Sequence, residues 1–552
     1  MTKINPRHFI DELRFDIKAN DQIKARLVMA HFDDMDAQTQ RMALFELSRA
    51  PDAFVFPLLV GISAQVSLSA DPNPSIKELL YSKALDNPEV LTRMLMRELK
   101  SAHRVVLAEI AGEIKLEEAT PILLSILGEE QDERVLRAAI AALGMIGDPC
   151  ATTPLSEFLY AGSAELVIAA IQSLGLLGTP TAIQRLDDKL GADTDLDYLI
   201  LEVFARSQEP EALERLNALL SAQQARLRNA SKQHLIQIGR KAVPVLINNL
   251  RFDDPDLLIH TLNVMGAIGD ESSIPPIRKL LHNEPRDANV RFAAYEALGH
   301  LPVARGAFAL AQGLNDPVDN VRAAAAGAID HNYNTVLAAG IKNMLRDEDP
   351  MQRPISRTLM DAHCNTIFLD VIHDDIFHDF AVEHLSRQAH ADTRDHFIDL
   401  LTANGLPEIA AAIRNQAQTG PHTRSALKVY VVDDSKMILN IYRSVLHNLG
   451  CDPVVFEFPA EAIEQIHTHK PDLIFTDLNM PDINGVELAK AVRQVYSKEQ
   501  LPIIMVTTQN ECQDNEAAIK AGVNAILNKP FNERMLREAM QAQMVDRQTN
   551  NS

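Results

Sequence analysis

Residues 472–485 read Asp-Leu-Ile-Phe-Thr-Asp-Leu-Asn-Met-Pro-Asp-Ile-Asn-Gly, an apolar run that closes on Asp477 and then breaks into a polar, proline-containing turn. Such a run, short and rich in β-branched and aromatic residues, predicts a buried strand whose carboxyl end carries an acid. Similar runs surround it. Lys428 to Val432 is closed by Asp433 and Asp434, Ile503 to Val506 leads into Thr507 and Thr508, and Ala525 to Asn528 leads into Lys529 and Pro530. Each is followed by a segment of helical period, so the last 125 or so residues predict strands alternating with helices in a parallel sheet. Ligands of open parallel sheets bind at the carboxyl edge, where all these polar groups gather.

Three carboxylates at one edge repel one another, and a divalent cation is the usual way to hold them together near neutral pH. Oxygen ligands alone favour Mg²⁺, which keeps several waters and takes one or two carboxylates plus a phosphate oxygen. Asp434 and Asp477 are the expected direct ligands, with Asp433 acting through water.

The acidic pair Asp433/Asp434, the run Asp477-Leu-Asn479-Met-Pro-Asp-Ile-Asn-Gly485, the hydroxyl of Thr507 and Lys529-Pro530-Phe531 resemble the receiver domains of two-component response regulators, from Lys428 to Val545. The resemblance implies a flavodoxin-like α/β fold of five βα units. It also implies that Asp477 accepts a phosphoryl group from a histidine kinase or phosphotransfer protein. By the same resemblance the carbonyl of Asn479 completes the metal shell, Lys529 pairs with the phosphoryl oxygens and Thr507 donates a hydrogen bond to them. Asn479 and Gln509 occupy positions that tune the lifetime of the acyl phosphate in the family. The chain departs from the family pattern at Ile526, three residues before Lys529, where an aromatic ring is usual; the switch is then expected to work through the loop after Val506. A flavodoxin-like domain that has lost phosphorylation is the bland alternative, but it would be expected to lose one of the five polar groups, and all five are present.

A chain of 552 residues exceeds one hydrophobic core, so further domains precede this one. Residues are 46% hydrophobic but only 5% aromatic, which suits many small helix–helix contacts. The net charge of −22 argues against a general nucleic-acid or anionic-membrane binder, since both need a positive field. Cys150, Cys364, Cys451 and Cys512 show neither disulfide nor zinc spacing, which points to a reducing cytoplasm. Neither a signal-peptide core nor an apolar membrane span is present in the sequence, so no membrane insertion is expected.

The first 420 or so residues repeat. Gly112, Gly144, Gly175, Gly266 and Gly299 fall 32, 31, 91 and 33 residues apart, and the long interval is three periods in which Ser207 and Gly239 approximate the missing markers. Nine positions before the markers stand Val135, Leu166, Leu257 and Val290, with Val321 one period on; one position before stand Leu143, Leu174, Met265 and Leu298, then Ile329. Alanine pairs between them complete an apolar stripe that lets helices approach closely. Pro121, Pro154, Pro244 and Pro276 announce a second helix in each unit. These hairpins resemble HEAT-like repeats, the short variety also found in phycobilin lyases, with Val290-Arg291 and Val321-Arg322 the closest matches. About seven units are expected from Arg104 to Asp349.

The predicted organisation is therefore a helical cap or degenerate repeats over 1–103, an all-α HEAT-like solenoid over 104–414, a polar linker over 415–427, the receiver over 428–545 and a disordered tail over 546–552. Six histidines, His363, His373, His378, His384, His390 and His396, lack the spacing that sets two ligands on one helix face. Solvated or core-packed roles are expected for them, with a pH-sensitive helix surface as the alternative.

No output module of the common DNA-binding or catalytic type follows the receiver, so output is expected through the solenoid or its partners. The expectation is a cytoplasmic response regulator, not an enzyme, whose phosphorylation controls a solenoid that binds a further protein partner. One alternative is a phosphate sink or adaptor without intramolecular switching. Another is a solenoid enzyme of the lyase or DNA-glycosylase type, which the scarcity of aromatic residues and the acidic charge disfavour.

Overall fold

The marker glycines recur because consecutive hairpins cross at them. In the computed structural model of the chain, which describes residues 6–66, 74–222, 224–302, 307–345, 351–389, 391–417, 427–434, 436–478, 480, 483–507, 512–529, 531 and 533–549, a Cβ on Gly112 would lie 2.7 Å from the Ala142 Cα and one on Gly144 2.7 Å from the Ser173 Cα. A side chain at either position would force the backbones apart. Residues 1–216 and 217–552 form two compact units.

The first unit opens with helices Pro6–Ala19, Gln22–Met29, Ala37–Arg49, Asp52–Val66, Pro74–Asp86 and Pro88–Arg97, so the described part of the irregular opening hundred residues is also largely helical. Regular hairpins follow. Among the described residues eight of them run from Ser101–Glu113 with Thr120–Glu129 to Asp319–His331 with Thr335–Met344, one more than the periodicity suggested. Proline occupies the first turn of the second helix in several, as at Pro121 and Pro180. Of the residues nine before the markers, Val135, Leu166, Val290 and Val321 are buried and Leu257 is half-buried; Leu143, Leu174, Met265, Leu298 and Ile329 are fully buried.

Ser207 and Gly239 are not crossing points. Gly147 and Gly178 end their helices in the left-handed conformation at φ 83° and 59°. Gly239 sits at that same place, just past Ala225–Ile238 with φ 69°, and Ser207 is the last residue of Thr194–Ser207. Gly239 belongs to the capping series, three residues out of phase with the crossing series, and Ser207 stands one residue before its helix's own left-handed cap, Gln208, at φ 51°.

The second unit contains the later hairpins, including Pro255–Ile268 and Ala288–Gly299, and the α/β domain. There Gly266 crosses at Ala297 and Gly299 at Ala328. The α/β domain is a five-stranded parallel sheet in the order β2-β1-β3-β4-β5, with β1 Leu427–Val432, β2 Cys451–Phe456, β3 Leu473–Asp477, β4 Ile503–Thr507 and β5 Ala525–Asn528. Strand residues alternate between two cores. Tyr430, Val432, Ile474 and Met505 face one, packed by helices Pro459–Thr468 and Gly485–Arg493. Val429, Val431, Phe475 and Val506 face the other, with Ile438, Leu439 and Tyr442 of helix Lys436–Asn448 and Leu536 of helix Glu533–Thr549.

That second core does not stop at the α/β domain. Ala323, from repeat helix Asp319–His331, is buried within it, and Phe292 and Ala362 pack against it. Of the expected linker 415–427, residues 418–426 lie outside the described ones, as do 550–552 of the expected tail; residues 546–549, expected to be disordered, instead continue helix Glu533–Thr549.

Candidate functional site: the carboxyl edge of the parallel sheet

Parallel register brings the ends of β1, β3, β4 and β5 side by side, with Asp477 opposite Val506 and Thr507 opposite Asn528. Asp433 follows β1, its N–H donating to the Phe456 carbonyl at 3.2 Å, so β2 holds it in place. The Lys529 N–H donates to the Thr507 carbonyl at 2.8 Å, which turns the lysine inward over the edge. Its ammonium then bridges two acids, 2.7 Å from Asp433 Oδ2 and 3.0 Å from Asp477 Oδ1.

The environment is dry. Asp433 and Thr507 are each 1% exposed and Asp477 8%. Burial pushes the Asp433 carboxyl up to about 7; Lys529 opposes the shift, while Asp477 and Asp434 add to it. Burial likewise raises Asp434 to about 6, helped by Asp477 and, from the solenoid, by Glu296, although one side of Asp434 remains open to solvent. For Lys529, burial works against the ammonium, but Asp433 and Asp477 reverse this and hold it well above the ordinary lysine value. One ammonium thus faces three carboxylates.

The turn after β3 depends on Gly485. Its N–H donates to the Leu478 carbonyl at 3.0 Å, and a Cβ there would sit 2.1 Å from the Asp477 carbonyl oxygen. Asn484 caps the following helix through a reciprocal box with Glu487, each side chain accepting from the other's N–H at 2.9 and 3.0 Å. The motif therefore encodes a sharp turn that leaves the Asp477 carboxylate at the edge.

Asp433, Asp434, Asp477, Thr507 and Lys529 all lie at this edge. Asn479, Thr508, Gln509 and Pro530 lie outside the described residues. Ile526 is half-buried on β5 opposite Met505 and packs on the first core. Among the described residues no three His, Cys, Asp or Glu side chains are already closed into a metal-ligand cluster, and Lys529 occupies the space between Asp433 and Asp477. The donor set is nonetheless all oxygen and carries surplus negative charge, which fits a hard divalent cation.

Sequence reading missed four residues. Tyr442 is fully buried beneath the site, its ring 4.4 Å from that of Phe531 and 5.5 Å from that of Phe475. Asn289, Glu296 and Asn320 come from the solenoid. The Asn289 carboxamide donates to the Lys529 carbonyl, and that of Asn320, buried, donates to the Phe531 carbonyl at 3.1 Å. A signal existed: ten positions before the crossing glycines 112, 144, 175 and 266 stand Ala102, Arg134, Glu165 and Asp256, and the same position holds asparagine in the two units that touch this loop.

The histidines divide. His363 stacks on His396 with ring centroids 4.4 Å apart, His396 Nε2 lies 2.8 Å from Asn365 Oδ1, and His384 is buried near Asp361; His390 lies outside the described residues. Among the described residues no helix is long and apolar enough to cross a membrane.

A family profile for the response regulator receiver domain matches residues 429–541, and one for HEAT repeats matches 88–175 and 243–330. The chain is 39% identical over 117 residues to the chemotaxis protein CheY homolog of Campylobacter jejuni, covering 21% of this chain and 90% of that protein. Chemotaxis protein CheY1 of Helicobacter pylori is 37% identical over 117 residues, covering 21% of this chain and 94% of its own. A solved structure of chemotaxis protein CheY4 of Vibrio cholerae shares 30% identity over 21% of this chain and 98% of its own, with a TM-score of 0.21. With its five-stranded parallel sheet and its lysine-bridged acids, the chain belongs to the response regulators, as a receiver domain joined to HEAT repeats.

Proposed function

We propose that this chain takes a phosphoryl group on Asp477 from a phosphohistidine of a kinase or phosphotransfer protein and uses it to control what the HEAT repeats bind. The observation that carries the reading is the Lys529 ammonium bridging Asp433 and Asp477 at the sheet's carboxyl edge. Phosphoryl transfer needs little covalent help from the protein; it needs positioning and charge neutralisation. An Asp477 carboxylate oxygen attacks phosphorus in line, the O–P bond forms as the donor's N–P bond breaks, and the departing imidazole takes a proton. Lys529, already 3.0 Å from Asp477, meets the phosphoryl oxygens as they arrive. The Thr507 hydroxyl, held at the end of β4, donates to one of them.

Asp433, Asp434 and Asp477, with the Asn479 carbonyl, would hold Mg²⁺, which when bound neutralises charge on the phosphoryl oxygens. The repeats offer extended surfaces suited to a protein partner, and the solenoid side chains bonded to the Lys529–Phe531 stretch favour switching within the chain over a bare phosphate sink. Acetyl phosphate with Mg²⁺ should label the full chain once, at Asp477, by intact mass and peptide mapping. Asp477→Asn should abolish the label, and undiminished labelling of that variant would overturn the assignment.

A further inference from the structure

Asn289 and Asn320 stand 31 residues apart, at the same position in the first turn of consecutive repeat helices, Ala288–Gly299 and Asp319–His331. Packed helices lie about 8–10 Å apart. The carbonyls of Lys529 and Phe531 are two residues apart on the chain. Two neighbouring repeats therefore span alternate carbonyls of one stretch, and each presents a carboxamide donor to it.

The repeats hold those asparagines firmly. The Asn289 N–H is capped by Asp287 at 2.7 Å. Arg291 grips Asp316 through two bonds of 2.7 and 3.1 Å and also donates to the Pro285 carbonyl, while Arg322, 8% exposed, donates to the Asp316 carbonyl at 2.7 Å. The Val-Arg pairs thus brace the loops beneath the two contact positions. Around the asparagines Phe292, Ala323 and Ala362 close an apolar seam with helix Lys436–Asn448. Half-buried Glu296, one helical turn beyond Phe292, lies within electrostatic reach of Asp434.

We propose that repeat helices 288–299 and 319–331 are a docking surface for the unphosphorylated receiver of the same chain, gripping the Lys529–Phe531 main chain through Asn289 and Asn320, and that phosphorylation of Asp477 loosens the grip. This rests on Asp477 being the phosphoacceptor. The carbonyls that the asparagines hold belong to the stretch that carries Lys529, whose ammonium must exchange Asp477 for phosphoryl oxygens. The acyl phosphate carries about two negative charges where the Asp477 carboxylate carried one, so the incoming group adds about one beside Asp434 and Glu296, where a docked solenoid already contributes one. Docking and phosphorylation then oppose each other, and the opposition is reciprocal. The surface freed on release, rich in alanine and bordered by Phe292, is then available to a partner in one signalling state alone.

The test uses the full chain with beryllofluoride and Mg²⁺ as phosphoryl mimic, read by hydrogen exchange and by titration. Beryllofluoride should speed exchange in 288–299 and 319–331 as well as altering 427–507. Asn289→Leu and Asn320→Leu, which keep volume and remove the donor, should each bind beryllofluoride more tightly, by about fivefold for one lost bond. Glu296→Gln supplies a readout that a merely structural role would not move: Mg²⁺ should bind more weakly while beryllofluoride at saturating Mg²⁺ binds more tightly, and high salt should shrink both changes. If beryllofluoride leaves exchange in the two repeat helices unchanged, or if the asparagine variants bind it no more tightly than the parent, the docking proposal falls while the phosphoacceptor assignment stands. A parent chain that neither labels at Asp477 nor binds beryllofluoride would remove both.

Discussion

Replacing Lys529 by methionine removes one buried charge and leaves two others behind. Its ammonium lies 2.7 Å from Asp433 and 3.0 Å from Asp477, with the lysine side chain only 11% exposed and the two acids 1% and 10%. Methionine keeps most of the volume, so the loss is electrostatic. Breaking a buried pair by deleting one partner costs about 3–5 kcal/mol, and here two carboxylates lose their shared partner. The site can escape by protonating Asp433, whose carboxyl already stands at about 7, so at pH 8 the escape costs about 1.4 kcal/mol for the one unit. That escape is easier than the direct penalty, so the loss should fall between about 1.4 and 5 kcal/mol. Peptides from β1 and β3 report it by hydrogen exchange in EDTA at pH 8, where that range corresponds to protection falling by about tenfold to a few thousandfold. Mg²⁺ should return more protection to Lys529→Met than to the parent, because it supplies the missing positive charge. A loss below about 1 kcal/mol, or equal stabilisation of both proteins by Mg²⁺, would show that the bridge is not what holds these acids together.

Gly485→Ala should destabilise the receiver by more than about 3 kcal/mol and abolish acetyl phosphate labelling, since its Cβ would meet the Asp477 carbonyl oxygen at 2.1 Å and the backbone has no free direction to move; normal labelling would refute the turn's role. Leu174→Asp buries an unpaired carboxylate where the leucine is fully buried, so exchange protection should collapse across 133–187, and a retained pattern there would contradict the stripe assignment. His260 titrates with the opposite sign to a paired histidine. Burial first, then Lys232 and Arg228, hold its imidazole well below the ordinary range, so the unfolded chain binds the extra proton and stability falls as pH drops below about 6.5. The slope should be about 1.4 kcal/mol per pH unit for this one group, and denaturant midpoints of His260→Gln should flatten by that amount between pH 6.5 and 5; an unchanged slope would exclude His260 as its source.

The sequence by itself determined the receiver and its site. In a parallel sheet every strand ends at the same edge, so an acid after β1, an acid closing β3, a hydroxyl closing β4 and a lysine after β5 must converge, whatever the loops do. It also determined the repeats, because helices that cross at Gly112 or Gly144 leave no room for a Cβ, and that close approach recurs at Gly266 and Gly299. Gly239 shows where periodicity loses its meaning: crossing and capping glycines repeat with the same spacing, and only packing distinguishes the one that faces Ala297 from the one that faces nothing.

How the receiver meets the repeats was decided by tertiary structure alone. The sequence suggested a polar linker between the repeats and the receiver. The packing falls far upstream of that linker, on Phe292, Ala323 and Ala362. Farther along the repeats, His396 comes within electrostatic reach of Arg443, on the receiver helix. A trace of the docking was present in helix Lys436–Asn448, where Ile438, Leu439, Ile441 and Tyr442 are apolar over an arc wider than one sheet can bury. The partner had no such signature. The bonds from Asn289 and Asn320 close over 240 and 211 residues, and surface complementarity at that separation depends on the curvature of several stacked hairpins, which a repeat pattern describes one unit at a time.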